Sequence, residues 1–124
     1  MKRVLLAIFT LFIPALGLAD AGDTRVMEVW NCTINEGKTA DEVAAHNAKW
    51  LAFVRQTNPE IRSYGLTSIV GESGTFMFAD SYPDLAAWGA AKKAMESEQG
   101  QALGAGFDAL LKCSKNGLHE STEH

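Results

Sequence analysis

A carboxamide and an indole lie one turn apart on the apolar face of a predicted helix. Asn47 and Trp50 share this face with Val43 and Val54, at the spacing of an amphipathic helix. A buried carboxamide needs hydrogen-bond partners, because an unpaired polar group in the core costs about 1–3 kcal/mol. Asn47 and Trp50 therefore indicate the wall of a ligand pocket, where the indole supplies a flat contact and an N–H donor. The alternative is that Asn47 bonds to nearby backbone and that Trp50 only fills the core.

His46 precedes Asn47 and is a further candidate for the pocket wall, with Val43 and Val54 as its apolar part. A free imidazole titrates near neutral pH, so His46 is also the residue that could act as a base. A half-exposed helix histidine without a role is the alternative. We predict no catalytic residue, because the sequence contains no Ser-His-Asp spacing and no phosphate-binding glycine loop. The lack of a cluster of metal-ligating residues likewise predicts neither a metal nor another cofactor.

Two further polar side chains are assigned structural roles. Asp80 stands where the second helix begins, and we expect its carboxylate to accept hydrogen bonds from the first-turn N–H groups, with a catalytic role as the alternative. Asn31 lies in the first strand and faces away from the side chains of its two neighbours. We expect Asn31 to bond to a loop.

The elements that position these side chains alternate between strand and helix patterns. Thr39 and Glu42 form the N-terminal capping box of the first helix, and Pro83 fits the first turn of the second. The two glycines of the segment 71–74 predict a hairpin loop. The predicted elements are strands over 25–34, 61–70, 75–81 and 112–119, and helices over 39–56, from 83 and after 100.

This order, β-α-β-β-α-(α)-β, is typical of a ferredoxin-like split βαβ domain, an α+β fold with a four-stranded antiparallel sheet. In that topology the first and last strands are antiparallel neighbours. Cys32 at the end of the first strand then faces Cys113 at the start of the last. An exported chain with two cysteines also predicts one disulfide, with free thiols or a metal site as alternatives. Closing a loop of about 80 residues would stabilise the fold by roughly 4–5 kcal/mol.

The N-terminal segment predicts export. Residues 1–21 combine a basic start with an apolar run of about 15 residues, which is typical of a signal peptide. Small residues place the cleavage site near Ala19 or Ala21. The run is shorter than the roughly 20 residues that span a bilayer, although an uncleaved anchor remains an alternative. We therefore expect a periplasmic or secreted protein with a domain at 22–119 and a disordered tail at 120–124.

The net charge narrows the range of partners. Removing residues 1–21 changes the counts from 11 basic and 15 acidic side chains to 9 and 14, and the net charge from −4 to −5. An acidic surface without a basic, aromatic-rich run repels phosphate groups. We expect no nucleic-acid partner and no stable association with a membrane after signal cleavage.

Several motifs carry a resemblance to a known family. They are Asn31-Cys32-Thr33, Asn47-x-x-Trp50, and the run Phe76-Met77-Phe78 followed by Asp80-Ser81-Tyr82-Pro83-Asp84-Leu85. Together with the order of elements, they resemble small exported bacterial members of the dimeric α+β barrel superfamily, and more distantly the antibiotic-biosynthesis-type monooxygenases. The resemblance implies a homodimer in which two four-stranded sheets form a barrel, with a pocket between helices and sheet in each subunit.

Three functions are compatible with this resemblance. The first is the binding of a small apolar or aromatic ligand without catalysis. The second is cofactor-independent monooxygenase activity, in which Asn47, Trp50 and a cation from His46 or Arg62 would bind an electron-rich phenolic substrate that itself activates oxygen. The third is a structural protein-interaction module. A fold alone does not select among them.

Overall fold

The computed structural model describes residues 24–71 and 74–124. In this part of the chain, strands and helices follow each other in the predicted order. Their bounds are β1 Thr24–Ile34, α1 Ala40–Val54, β2 Arg62–Thr67, β3 Thr75–Tyr82, α2 Leu85–Ala94, α3 Glu98–Leu110 and β4 Leu111–Thr122. None of these helices is both long and apolar enough to cross a membrane. The predicted signal peptide, residues 1–21, lies outside the described residues.

The strands form one antiparallel sheet in the order β2-β3-β1-β4. This is the strand order of a ferredoxin-like fold, which confirms the predicted fold class. Cys32 and Cys113 are direct partners in the β1–β4 register and form a disulfide, as predicted. The register shifts between Asn31 and Cys32, so a bulge precedes the disulfide.

The core lies between the helices and one face of the sheet. One cluster of buried residues consists of Trp50, Val54, Ile61, Tyr82, Ala87 and Ala91, and the other of Cys32, Val43, Phe76, Phe78 and Leu111. Phe107 of α3 packs against both clusters. The side chain of Phe107 therefore connects the two halves of the core.

The helix starts follow the local sequence. Thr39 and Glu42 form the predicted capping box: the Thr39 side chain accepts from the Glu42 N–H, and the Glu42 carboxylate accepts from the Thr39 N–H at 2.8 Å. The second helix is capped by Asp84, whose carboxylate accepts from the Ala87 N–H at 2.8 Å. The prediction that Pro83 belongs to the first turn is wrong, because the extended backbone of Asp84 places the helix start after it.

Two strand ends differ from the prediction. β2 ends at Thr67 rather than at 70, and the side chains of Ile69 and Val70 are 97% and 91% exposed. Their β-branched types favour a strand, but at this point they lack a surface on which to pack. β4 continues to Thr122, so the disordered tail predicted for 120–124 is wrong for its first three residues. Backbone pairing with the start of β1 orders this segment.

Candidate functional site

A cavity of about 680 Å³ lies between the helices and the helix-facing side of the sheet. This volume is within the range of small-molecule pockets, about 300–1,000 Å³. Its aromatic lining consists of Trp30, Trp50, Phe78, Tyr82 and Phe107. The polar and charged residues at its wall are Asn35, Asn47, Asp80, Lys92, Asp108 and Lys112. An apolar space with a few polar groups is the usual composition of a ligand site.

A hydrogen-bonded row of three side chains runs from α1 to the sheet. Asn47 Nδ2 donates to Ser63 Oγ at 2.9 Å, and Ser63 Oγ donates to Asp80 Oδ1 at 2.6 Å. Ser63 and Asp80 are direct partners in the β2–β3 register, so strand pairing sets their separation. The Ser63 hydroxyl uses its one proton for Asp80 and accepts from Asn47. Asn47 thus has the partner that its position on the apolar face requires.

Asp80 also faces a second carboxylate. Glu28 is its direct partner in the β1–β3 register, and only 3% of Glu28 and 6% of Asp80 is exposed. Two buried like charges opposite each other destabilise a sheet unless other groups compensate them. For Glu28 the compensation is the Lys92 ammonium group, which lies 2.6 Å from Oε2.

Two neutral donors complete the surroundings of Glu28. Asn116 Nδ2 donates to Glu28 Oε1 at 2.8 Å, and Trp88 Nε1 donates to Oε2 at 3.3 Å. The Lys92 ammonium also lies 5.2 Å from the ring centre of Trp30 and 5.9 Å from that of Trp88. Glu28 is therefore held in a charge-compensated network, whereas the hydrogen bond to the Asp80 carboxylate comes from a neutral hydroxyl.

Burial raises the pKa of the Asp80 carboxyl to about 6. The hydrogen bond from Ser63 lowers this pKa, the charge of Glu28 raises it, and the charge of Lys92 lowers it by less than Glu28 raises it. Asp80 can therefore gain or lose a proton close to neutral pH. Burial, together with the charges of Asp80 and Glu28, also raises the pKa of the Tyr82 hydroxyl, so Tyr82 keeps its proton.

The structure brings two of the predicted pocket residues to the cavity. Asn47 and Trp50 line it. Val43 and Val54 are fully buried in the two core clusters, and neither is part of the lining in the described part of the chain. The apolar face of α1 therefore serves both the cavity and the core.

His46 connects α1 to α3. Its Nε2 lies 2.8 Å from the Leu103 carbonyl oxygen, and its ring meets the Phe107 ring edge-on with 4.5 Å between centres. A Cβ atom at Gly106 would collide with the His46 ring, so this glycine makes room for it. The contacts of His46 are those of a packing residue, and within the described residues it does not line the cavity.

The lysines at the cavity wall, Lys92 and Lys112, are different cations from the two considered in the sequence, His46 and Arg62. Arg62 is the cross-strand partner of Ser81 and alternates with Ser63, so it lies on the face of the sheet away from the helices. Asn31 lies on that face too. Lys92 lines the cavity instead. No group of three or more His, Cys, Asp or Glu side chains in the described ranges is placed to hold a metal ion.

Sequence reasoning missed three charged or hydroxyl groups of the site, Glu28, Ser63 and Lys92, and it gave Asp80 a different role. Alternation along the strands is the signal that could have found the two acids, because Glu28 is in phase with Trp30 and Asp80 with Phe78. The prediction that Asp80 caps the second helix is wrong. Asp80 lies inside β3, which continues to Tyr82, and the cap is Asp84.

Comparison with solved structures identifies the fold. The chain is similar to SnoaB, a cofactor-independent oxygenase from Streptomyces nogalater, with a TM-score of 0.61 and 17% identity over 81% of this chain and 95% of that one. It is also similar to a conserved protein of unknown function from Bacteroides thetaiotaomicron, a possible oxidoreductase, with a TM-score of 0.58 and 13% identity over 80% and 99% of the two chains.

A NIPSNAP family protein of unknown function from Agrobacterium tumefaciens matches with a TM-score of 0.58 and 9% identity, over 79% of this chain and 88% of that one. No family model and no curated protein matches the sequence. At these identities the similarity establishes the fold alone: a ferredoxin-like α+β domain.

Proposed function

We propose that this chain is an exported protein that binds a small apolar or aromatic molecule in the cavity between its helices and its sheet. The observation that carries the proposal is an aromatic lining combined with the hydrogen-bonded row of Asn47, Ser63 and Asp80. The rings offer flat apolar contact. The row offers a carboxamide and a carboxyl group that can orient one polar group of the ligand. Such a cavity favours ligand binding over a purely structural interaction module.

The ligand would enter from the side of α3 and β4. Asp80 and Tyr82 are buried, whereas Asp108 and Lys112 of the same lining are exposed. Gly104 of α3 also lines the cavity, and the position of a Cβ there is free of other atoms within 4 Å. The polar group of the ligand would therefore lie at the inner end, and its bulk would extend toward the opening.

Titration with benzene-, indole- and naphthalene-derived compounds, followed by tryptophan fluorescence, tests this proposal. We expect saturable quenching that Trp50→Ala weakens at least about tenfold, because truncation of a buried tryptophan is among the costliest changes at a binding site. Phe53→Ala is the matched control, since it removes a half-buried ring of α1 that packs on the core. No saturable quenching by any compound, or equal weakening by the two variants, would contradict the proposal.

A homodimer is part of the proposal. On the sheet face opposite the helices, alternation places Val29 of β1, Met77 of β3, and Tyr64 and Leu66 of β2. Tyr64 and Leu66 are large apolar side chains that are 44% and 48% exposed. Contiguous apolar surface of this kind is typical of a protein interface. A second copy that packs sheet against sheet would cover it.

Export is proposed from the residues 1–21, and the disulfide between Cys32 and Cys113 is consistent with an oxidising compartment. Expression of the full chain in a bacterium, followed by intact-mass measurement on the periplasmic fraction, tests it. We expect a mass that corresponds to cleavage near Ala19 or Ala21. A full-length chain found only in the cytoplasm would contradict export.

A second candidate function is cofactor-independent oxygenation. It is favoured by Asn47, Trp50 and the proton-exchanging carboxyl of Asp80 at one cavity, in a fold shared with SnoaB. An electron-rich phenolic substrate would donate its hydroxyl hydrogen bond to this polar row and react itself with oxygen. Oxygen uptake with anthrol-type and hydroquinone substrates is the measurement. Uptake no higher than that of Asn47→Ala would exclude this function.

A further inference from the structure

The charges at the inner wall of the cavity do not balance. Glu28 and Lys92, 2.6 Å apart, form an ion pair and offset each other. The Asp80 carboxylate, by contrast, accepts its hydrogen bond from the neutral hydroxyl of Ser63. When Asp80 is ionised, Glu28, Lys92 and Asp80 together carry one excess negative charge, and both carboxylates are buried.

Aromatic rings share the cavity with this charge. Trp50, Phe78 and Tyr82 line the same cavity as Asp80. The face of an aromatic ring attracts cations through its quadrupole, and the attraction is strongest where water is excluded. The wall already holds one cation in this way, since the Lys92 ammonium lies 5.2 Å from the ring centre of Trp30. A carboxylate and aromatic rings in the wall of one cavity are the combination that recognises organic cations.

We propose that the cavity selects a small organic cation, a ring that carries a protonated amine, over neutral molecules of the same shape. The ammonium group would donate a hydrogen bond to the Asp80 carboxylate while the ring lies against Trp50 and Phe78. This inference rests on the proposed binding function and adds the charge of the ligand to it.

The Lys92 ammonium does not give the wall an excess positive charge, because the Glu28 carboxylate lies 2.6 Å from it and offsets it. At longer range, the net charge of −4 of the chain draws cations toward the protein.

The preference depends on the charge state of Asp80. Charged and polar groups from four elements face Asp80: Glu28 of β1, Ser63 of β2, Tyr82 of β3 and Lys92 of α2. Asn47 of α1 reaches Asp80 through Ser63. Two further charged residues, Asp108 of α3 and Lys112 of β4, line the outer part of the cavity. With a pKa of about 6, Asp80 loses its charge as the pH falls through that value. Affinity for a cation should fall with it, whereas affinity for a neutral molecule should not.

Three indole compounds with side chains of similar length test the inference: tryptamine, which is a cation, tryptophol, which is neutral, and indole-3-acetate, which is an anion. Calorimetric titration of the exported protein at about pH 7.5 should give a Kd for tryptamine at least about tenfold lower than that for tryptophol, with indole-3-acetate weakest. At about pH 5, below the Asp80 pKa of about 6, the preference for tryptamine should be lost.

Asp80→Asn should abolish the preference at about pH 7.5, since the amide keeps the shape of the carboxyl without its charge. Asp41→Asn is the matched control, because it removes the same charge from an exposed position of α1, and it should retain the preference. If Asp80→Asn does not fold, the pH dependence of the wild type decides.

Equal binding of tryptophol and tryptamine would overturn the inference and leave the proposed function intact. A preference that survives in Asp80→Asn would also overturn it, because the acidic surface would then be the cause. If none of the three indole compounds binds in the calorimetric titration while neutral compounds still quench the tryptophan fluorescence, the preference for cations is disproved and the proposed function is not. If no compound binds in either experiment, the proposed function fails with it.

Discussion

The Ser63 hydroxyl donates a 2.6 Å hydrogen bond to the Asp80 carboxylate across the β2–β3 pair. On its other side, Asp80 is paired in register with Glu28 of β1, so three polar side chains follow one another across three strands. Asp80 and Glu28 are buried on a face of the sheet that also carries Trp30 and Phe78. Two buried carboxylates in such a place have a cost in folding free energy. That cost is the physical reason to assign Asp80 and its partners to a ligand site.

Asp80 should make the folded protein less stable as the pH rises from about 4 to about 7. Its pKa of about 6 in the folded state lies above the ordinary value of 3.8, so the folded protein still holds a proton that the unfolded chain has released. The free energy of unfolding then falls with increasing pH, by about 3 kcal/mol in total for a shift of this size. Urea unfolding of the wild type and Asp80→Asn at several pH values measures this contribution. A difference between the two proteins that stays constant with pH would contradict it.

Lys92→Met should destabilise the protein, because it leaves the buried carboxylate of Glu28 without its ammonium partner. We expect a loss of roughly 2–4 kcal/mol, less than for a fully enclosed pair since solvent screens a lysine that is partly exposed. Adding Glu28→Gln should recover part of the loss. Lys93→Met is the control, an exposed lysine one residue along the same helix. Equal unfolding free energies for the two lysine variants would disprove the role of the pair.

Replacement by alanine should change the stability of the protein in opposite directions at two glycines of α3. Gly106→Ala should cost about 1–3 kcal/mol, because the new methyl group collides with the ring of His46. Gly104→Ala should stabilise by about 0.5–1 kcal/mol, since its methyl meets open space and alanine is the better helix former. Thermal unfolding distinguishes them. His46→Ala should relieve the cost of Gly106→Ala, and a double variant without relief would count against this packing.

Replacement of Cys32 and Cys113 together by serine should lower the free energy of unfolding by up to about 4–5 kcal/mol, since the bond closes a loop of 81 residues. Reduction of the wild type should have a similar effect. Urea unfolding with and without reductant provides both values. A double-serine variant as stable as the oxidised protein would show that the bond contributes nothing.

Leu66→Lys should convert the proposed homodimer to a monomer, because it places a charge on the sheet face opposite the helices. Sedimentation equilibrium measures the mass directly. Ile69→Lys serves as the control, since Ile69 is equally apolar but lies beyond the end of β2 and is 97% exposed. A wild-type protein that is monomeric at micromolar concentration would contradict the dimer.

The sequence was a good guide to the fold and a partial guide to the site. Apolar periodicity identified the elements and their order, and strand order then paired the two cysteines. Asn47 was identified because a carboxamide is unusual on the apolar face of a helix, and Trp50 because it lies one turn away on the same face. Asp80 was misassigned as a helix cap although the predicted strand 75–81 contains it, because the partners of its carboxyl group, Glu28 and Ser63, come from two other strands.

Local patterns and chain topology were enough to predict the order of elements, the capping box of Thr39 and Glu42, and the disulfide. The folded chain was needed to show that Glu28, Asp80 and Ser63 are neighbours across three strands and that Lys92 compensates Glu28 rather than Asp80. The physical reason is that helix caps and apolar periods depend on residues a few positions apart. The charge state of a carboxyl group depends on excluded water and on partners brought from distant strands and helices.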